Sequence, residues 1–83
     1  MLSETKRDIL FFLVDDFGVH STPDIKKHVP RASTDALRDL CRMGHVEMFE
    51  TKKVLKWSIT PKGVILAFRL RGIQVRDGLV SAP

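Results

Sequence analysis

A mainly helical α+β domain is predicted by this sequence: a three-helix core, a two- or three-stranded sheet, and a fourth, C-terminal helix. Three observations lead there. Apolar residues recur at helical spacing over residues 3–17 and again over 33–43. After Gly44-His45 the apolar period changes to that of a strand. Twice, at Thr22-Pro23 and at Thr60-Pro61, a capping threonine precedes a proline, which marks a helix start.

The first helix is predicted over Ser3 to Phe17, with Ser3 as cap, Glu4 and Asp8 near its positive end and Gly18 as a left-handed stop. Ile9, Leu10, Phe12, Leu13 and Phe17 are its expected core stripe, with Lys6, Arg7, Asp15 and Asp16 on the wet side. Val19-His20-Ser21 is long enough only for an edge strand. Thr22 is read as the cap of a second helix that ends near Val29, because Pro30 cannot continue it. Ile25 and Val29 point inward; Lys26 and Lys27 face water or phosphate.

Pro30-Arg31-Ala32 is the turn into a third helix, capped by Ser33 and ended by Gly44 after about Met43. Ala36, Leu37, Leu40 and Cys41 form its apolar face, and Thr34, Asp35, Arg38, Asp39 and Arg42 its outer one. Val46–Glu50 and Val54–Thr60 are predicted strands around a Thr51-Lys52-Lys53 tip, with Leu55, Trp57 and Ile59 inward and Lys56 and Ser58 outward. A fourth helix runs from Pro61 to about Arg71, and its Val64–Phe68 run is apolar almost all round. Residues 1–71 are thus read as one domain, and 72–83 as a tail that packs as an arm or stays loose.

Composition narrows the function classes. Eighty-three residues allow one domain with a small core, and 43% hydrophobic with 29% charged residues fits a folding chain. Ile9–Val14, the longest apolar run, is far short of a membrane span, and no cleavable signal is visible. Cys41 is the single cysteine, which rules out an internal disulfide and makes a reducing, cytoplasmic setting the expectation. Charge is uneven: residues 1–30 carry four basic and five acidic side chains, and residues 31–83 carry ten and five. That excess favours a polyanionic partner.

No glycine-rich phosphate loop, paired acids with a supporting base, or nucleophile beside a histidine is present, so no enzyme, cofactor or small-molecule substrate is expected. Cys41 and His45 have ligand spacing on a helix, but Cys41 falls on the apolar face and Gly44 intervenes; a buried thiol is expected rather than a metal ligand. Trp57 could serve as a base-stacking platform, yet its inward register favours the core.

Helix, short strand, helix, helix, strand, hairpin tip, strand and helix form an order with recognisable markers. Ser21-Thr22-Pro23-Asp24-Ile25 opens the second helix, Leu37-Arg38-Asp39-Leu40-Cys41-Arg42-Met43-Gly44-His45-Val46 closes the third, and Trp57-Ser58-Ile59-Thr60-Pro61-Lys62-Gly63 joins strand to helix. This arrangement resembles the winged helix-turn-helix fold of small bacterial, archaeal and phage transcription regulators, including the MarR and PadR types, over roughly residues 3–71.

The resemblance implies double-stranded DNA binding, with the third helix in the major groove and the hairpin as a basic wing. The residues implied are Arg31, Ser33, Thr34, Arg38 and Arg42 from the turn and third helix, and Lys52, Lys53 and Lys56 from the wing. Thr34, Arg38 and Arg42 share a stripe; arginine matches guanine O6 and N7, and serine or threonine near a helix start reaches phosphate. Asp35 and Asp39 lie beside that stripe. Either they hold the arginines in place, or the binding surface is elsewhere. A homodimer through the C-terminal helix, reading two half-sites as a repressor, is the expected assembly. A winged-helix adaptor that binds protein rather than DNA is the alternative, and a metal- or redox-gated regulator acting through Cys41 is a third.

Overall fold

The structure is a computed structural model that describes residues 2–72, 74–76 and 79–81. The described residues form a small, mainly helical α+β domain with four helices and a three-stranded antiparallel sheet. α1 (Glu4–Asp15) is capped by Ser3, whose Oγ accepts the Lys6 amide at 3.2 Å. It buries Ile9, Leu10, Leu13 and Val14. The helix stops earlier than its apolar spacing predicts: Asp16 is the C-cap, and Phe17, expected in the core, is 63% exposed. The cause is His20, whose Nε2 donates to the Asp16 carbonyl at 2.7 Å and turns the chain before Phe17 can face inward.

β1 (His20–Ser21) does become the expected edge strand. α2 (Thr22–His28) is capped by Ser21, not Thr22: the Ser21 Oγ accepts the Asp24 amide, while the Thr22 Oγ1 accepts the indole N–H of Trp57 at 2.8 Å. α3 (Thr34–Arg42) follows, with Ser33 as its cap. β2 (Val46–Thr51) and β3 (Val54–Ile59) form the hairpin, each within one residue of its predicted end. α4 (Pro61–Leu70) is capped by Thr60. In the tail, β4 (Gln74–Arg76) and β5 (Leu79–Ser81) pair antiparallel, with β4 against α4. No helix among the described residues is long and apolar enough to cross a membrane.

The sheet order is β1-β3-β2, with Trp57 between His20 and Met48, and Lys56 between Ser21 and Phe49. Trp57 is fully buried against the helices, so the core assignment holds and the ring has no face for a base. Around it gather Ile25, Leu37, Leu40, Val46, Ile59 and Ala67 with the α1 stripe. Cys41, expected as a buried thiol, is only half-buried, since α3 turns Leu37 and Leu40 squarely inward and leaves Cys41 on the flank.

One seam ties the end of α3 to the start of α4. Thr60 N donates to the His45 carbonyl at 3.1 Å, Thr60 Oγ1 donates to the Gly44 carbonyl at 2.6 Å, and the Gly63 amide donates to that same Oγ1 at 3.1 Å. Lys62 Nζ reaches the Met43 carbonyl at 2.9 Å, placing a cation at the negative end of α3. Gly63 is buried, and a Cβ there would lie 2.1 Å from the His45 oxygen, so only glycine fits. The Thr60-Pro61-Lys62-Gly63 marker is therefore a packing joint that fixes α3.

Candidate nucleic-acid interface

α2 and α3 are joined by a turn that is anchored inside and open outside. The Ala32 amide donates to the Val29 carbonyl at 2.9 Å, and both side chains are buried. Beyond it α3 seats Leu37 and Leu40 in the core. Helical geometry then turns Arg38, Asp35 and Arg42 outward, and all three are exposed; Thr34 is half-buried.

The arginines differ in their surroundings. Arg38 makes no ion pair among the described residues. Arg42 Nη2 donates to Asp39, one turn back, and Asp39 also meets Lys6 of α1 at 3.1 Å. Asp39 thus holds Arg42 in place, as one of the two expectations had it, and is itself shared between two cations. The trio of Lys6, Asp39 and Arg42 keeps one net positive charge. Such exposed pairs are worth only about 0–1 kcal/mol, so a phosphate can displace them. Lys6 was not expected in this group; the contact joins residues far apart in sequence, and no local pattern announces it.

The hairpin tip is a two-residue turn, Lys52 and Lys53, with φ of 47° and 68°. Both residues are left-handed, the geometry of a type I′ turn, which favours asparagine and glycine. A lysine there costs on the order of 1 kcal/mol in backbone strain. Both side chains are exposed. Lys56 lies about 10 Å back along β3, on the sheet face opposite Trp57, and is half-buried beside Phe49. Met48, Phe49 and Val54 are each more than 40% exposed, so the hairpin shows apolar surface as well as charge.

Two expected contact residues stand apart from this surface. Ser33 Oγ accepts the Ala36 amide at 3.1 Å and is committed to capping. Arg31 is exposed on the turn and opens onto a cleft against α1, away from the outer stripe of α3.

Two histidines flank the helical pair in opposite electrostatic settings. Partial burial disfavours charge on His20, but hydrogen bonds to the Asp24 carboxylate and the Asp16 carbonyl, each 2.7 Å, outweigh it and raise its pKa. Both ring nitrogens face acceptors, so the imidazolium is the form that satisfies both. His45 is buried, and desolvation, helped by Lys62, lowers its pKa; its Nδ1 has no partner among the described residues. At the end of α1, Arg71 lies over the Phe11 ring, grips Asp15 through both carboxylate oxygens at 2.7 Å and holds that carboxyl below its ordinary range.

Among the described residues no three histidine, cysteine, aspartate or glutamate side chains are grouped so as to hold a metal ion. Comparison of the chain with protein-family models, with curated proteins and with solved structures returned no match.

Proposed function

We propose that this chain is a winged helix-turn-helix transcription regulator that binds double-stranded DNA, with α3 in the major groove and the β2–β3 hairpin as a wing against phosphate. The observation that carries the reading is the pair of exposed lysines at the two left-handed positions of the tip. Lysine is a poor choice there for folding, and cationic side chains at a protruding tip are a good choice for phosphate. Arg38, outward on α3 and free of ion pairs among the described residues, is the base-reading candidate; Arg42 and Thr34 flank it. Repression by occupying a promoter fits a domain of this size. Pairing through α4 would give two half-sites about one helical turn apart. Val64, Leu66 and Phe68 already pack on the core, which leaves Ile65 and the exposed Leu70 to carry that contact.

A second reading is favoured by specific features. α3 holds as many carboxylates as guanidiniums, and Met48, Phe49 and Val54 are exposed, as on a surface that docks protein. Selection from a random duplex pool separates the two. A DNA-binding protein enriches a sequence motif, and Arg38→Ala with Arg42→Ala removes that selectivity while the melting temperature stays near that of the wild type. Absence of duplex binding at low salt overturns the first reading in favour of the adaptor.

A further inference from the structure

Between α1 and the turn joining α2 to α3 lies a cleft of about 520 Å³, within the range of small-molecule sites. Its floor is aromatic: Phe11 and Phe12 line it, His28 stacks on Phe12 with ring centroids 4.4 Å apart and planes 14° apart, and the Phe11 ring carries the Arg71 guanidinium, which is paired with Asp15, 4.4 Å from its centroid. Glu4 and Asp8, one turn apart on α1, supply carboxylates, and Arg31 on the turn supplies a guanidinium. Among the described residues no ion pair joins Arg31 to Glu4 or Asp8, and Asp8 has only a 4.0 Å approach from Arg7. Opposite charges therefore line one cleft without meeting across its aromatic floor.

We propose that this cleft binds a small aromatic zwitterion, of which free aromatic amino acids are the simplest example. The ligand ring extends the Phe12–His28 stack by lying against exposed His28, where offset stacking is favourable. Its ammonium faces Glu4 and Asp8, and its carboxylate meets Arg31, whose planar fork suits a carboxylate. A ligand carrying both charges at one end of an aryl group neutralises both sides of the cleft at once. A purely cationic or purely anionic analogue leaves one side unsatisfied. Glu4, in the first turn, also suits the positive end of α1, but that role uses neither the aromatic floor nor Arg31.

The test is titration of the isotope-labelled full chain, followed by amide NMR, and it involves no DNA, so its outcome is independent of the DNA-binding reading. Tryptophan and phenylalanine are compared with phenethylamine, 3-phenylpropionate and alanine. The expected result is saturable shifts at residues 4–12 and 28–31 with the two aromatic amino acids. Affinity falls about tenfold or more when either charge is missing or the ring is removed. Asp8→Asn and Arg31→Gln each weaken tryptophan binding by a similar factor without altering the melting temperature. The proposal is overturned if no probe gives saturable shifts, or if the singly charged analogues bind as well as the zwitterions. The ligand series on the unmodified chain decides the matter even where a variant fails to fold.

Discussion

Replacing Gly63 by alanine adds one methyl group at the tightest joint in the molecule. The new Cβ would sit 2.1 Å from the His45 carbonyl oxygen and 2.8 Å from the Ile59 Cγ1. An ordinary carbon–oxygen approach is about 3.3–3.6 Å, so the start of α4 must move out by more than about 1 Å. That displacement breaks the Thr60-to-His45 backbone bond, now 3.1 Å, and strains the Thr60 contact to Gly44. Overpacking costs about 1–3 kcal/mol and the lost bond about 1 kcal/mol, while the better helix propensity of alanine returns at most about 1 kcal/mol. The net expectation for Gly63→Ala is about 2–3 kcal/mol of destabilisation. A domain of this length has roughly 4–12 kcal/mol to lose. Thermal unfolding should show the melting temperature falling by about 10–20 °C. A melting temperature within a degree or two of the wild type would refute the claim that this glycine locks α3 to α4.

Other perturbations have expected outcomes of different sign. Lys52→Asn with Lys53→Gly relieves two left-handed lysines and should raise stability by about 1–2 kcal/mol in urea unfolding; an unchanged or lower midpoint would show that the tip is unstrained. Thr60→Val keeps the shape of the joint and removes both hydroxyl contacts, so a loss of about 2–3 kcal/mol is expected in the same assay. His20 has a raised pKa, so its stabilisation is complete below the ordinary histidine value and fades as pH rises through the folded one. The stability gap between wild type and His20→Ala should therefore narrow from acid toward alkaline pH, and a gap that does not vary with pH would contradict the imidazolium. His45 has a lowered pKa and acts oppositely, removing stability as pH falls below the ordinary histidine value.

Much of this fold was legible because its punctuation is local. Ser3, Ser33 and Thr60 each cap the helix they precede, and a serine three residues before an open amide needs no tertiary help. The change of period after His45 likewise announced the hairpin. The misreadings trace to side-chain contacts, one distant and one local, that residue spacing does not announce. The indole N–H of Trp57, 35 residues away, donates to the Thr22 hydroxyl, which leaves the cap to Ser21. His20 captures the Asp16 carbonyl and cuts α1 short of Phe17. At the candidate site, the outward stripe of α3 followed from spacing alone. The sharing of Asp39 between Arg42 and Lys6 depends on how α1 packs against α3, and the sequence carries no local sign of it.

The salt dependence of duplex binding tests the central claim most directly, because each phosphate-neutralising cation contributes about 0.9 to the slope of log affinity against log salt. If Arg38, Arg42, Lys52, Lys53 and Lys56 form one cationic footprint, the wild-type slope should be about −4.5. Lys52→Asn with Lys53→Gly should reduce its magnitude by about two while leaving the domain more stable. A flat salt response, or a slope unchanged by loss of both tip lysines, would contradict the account.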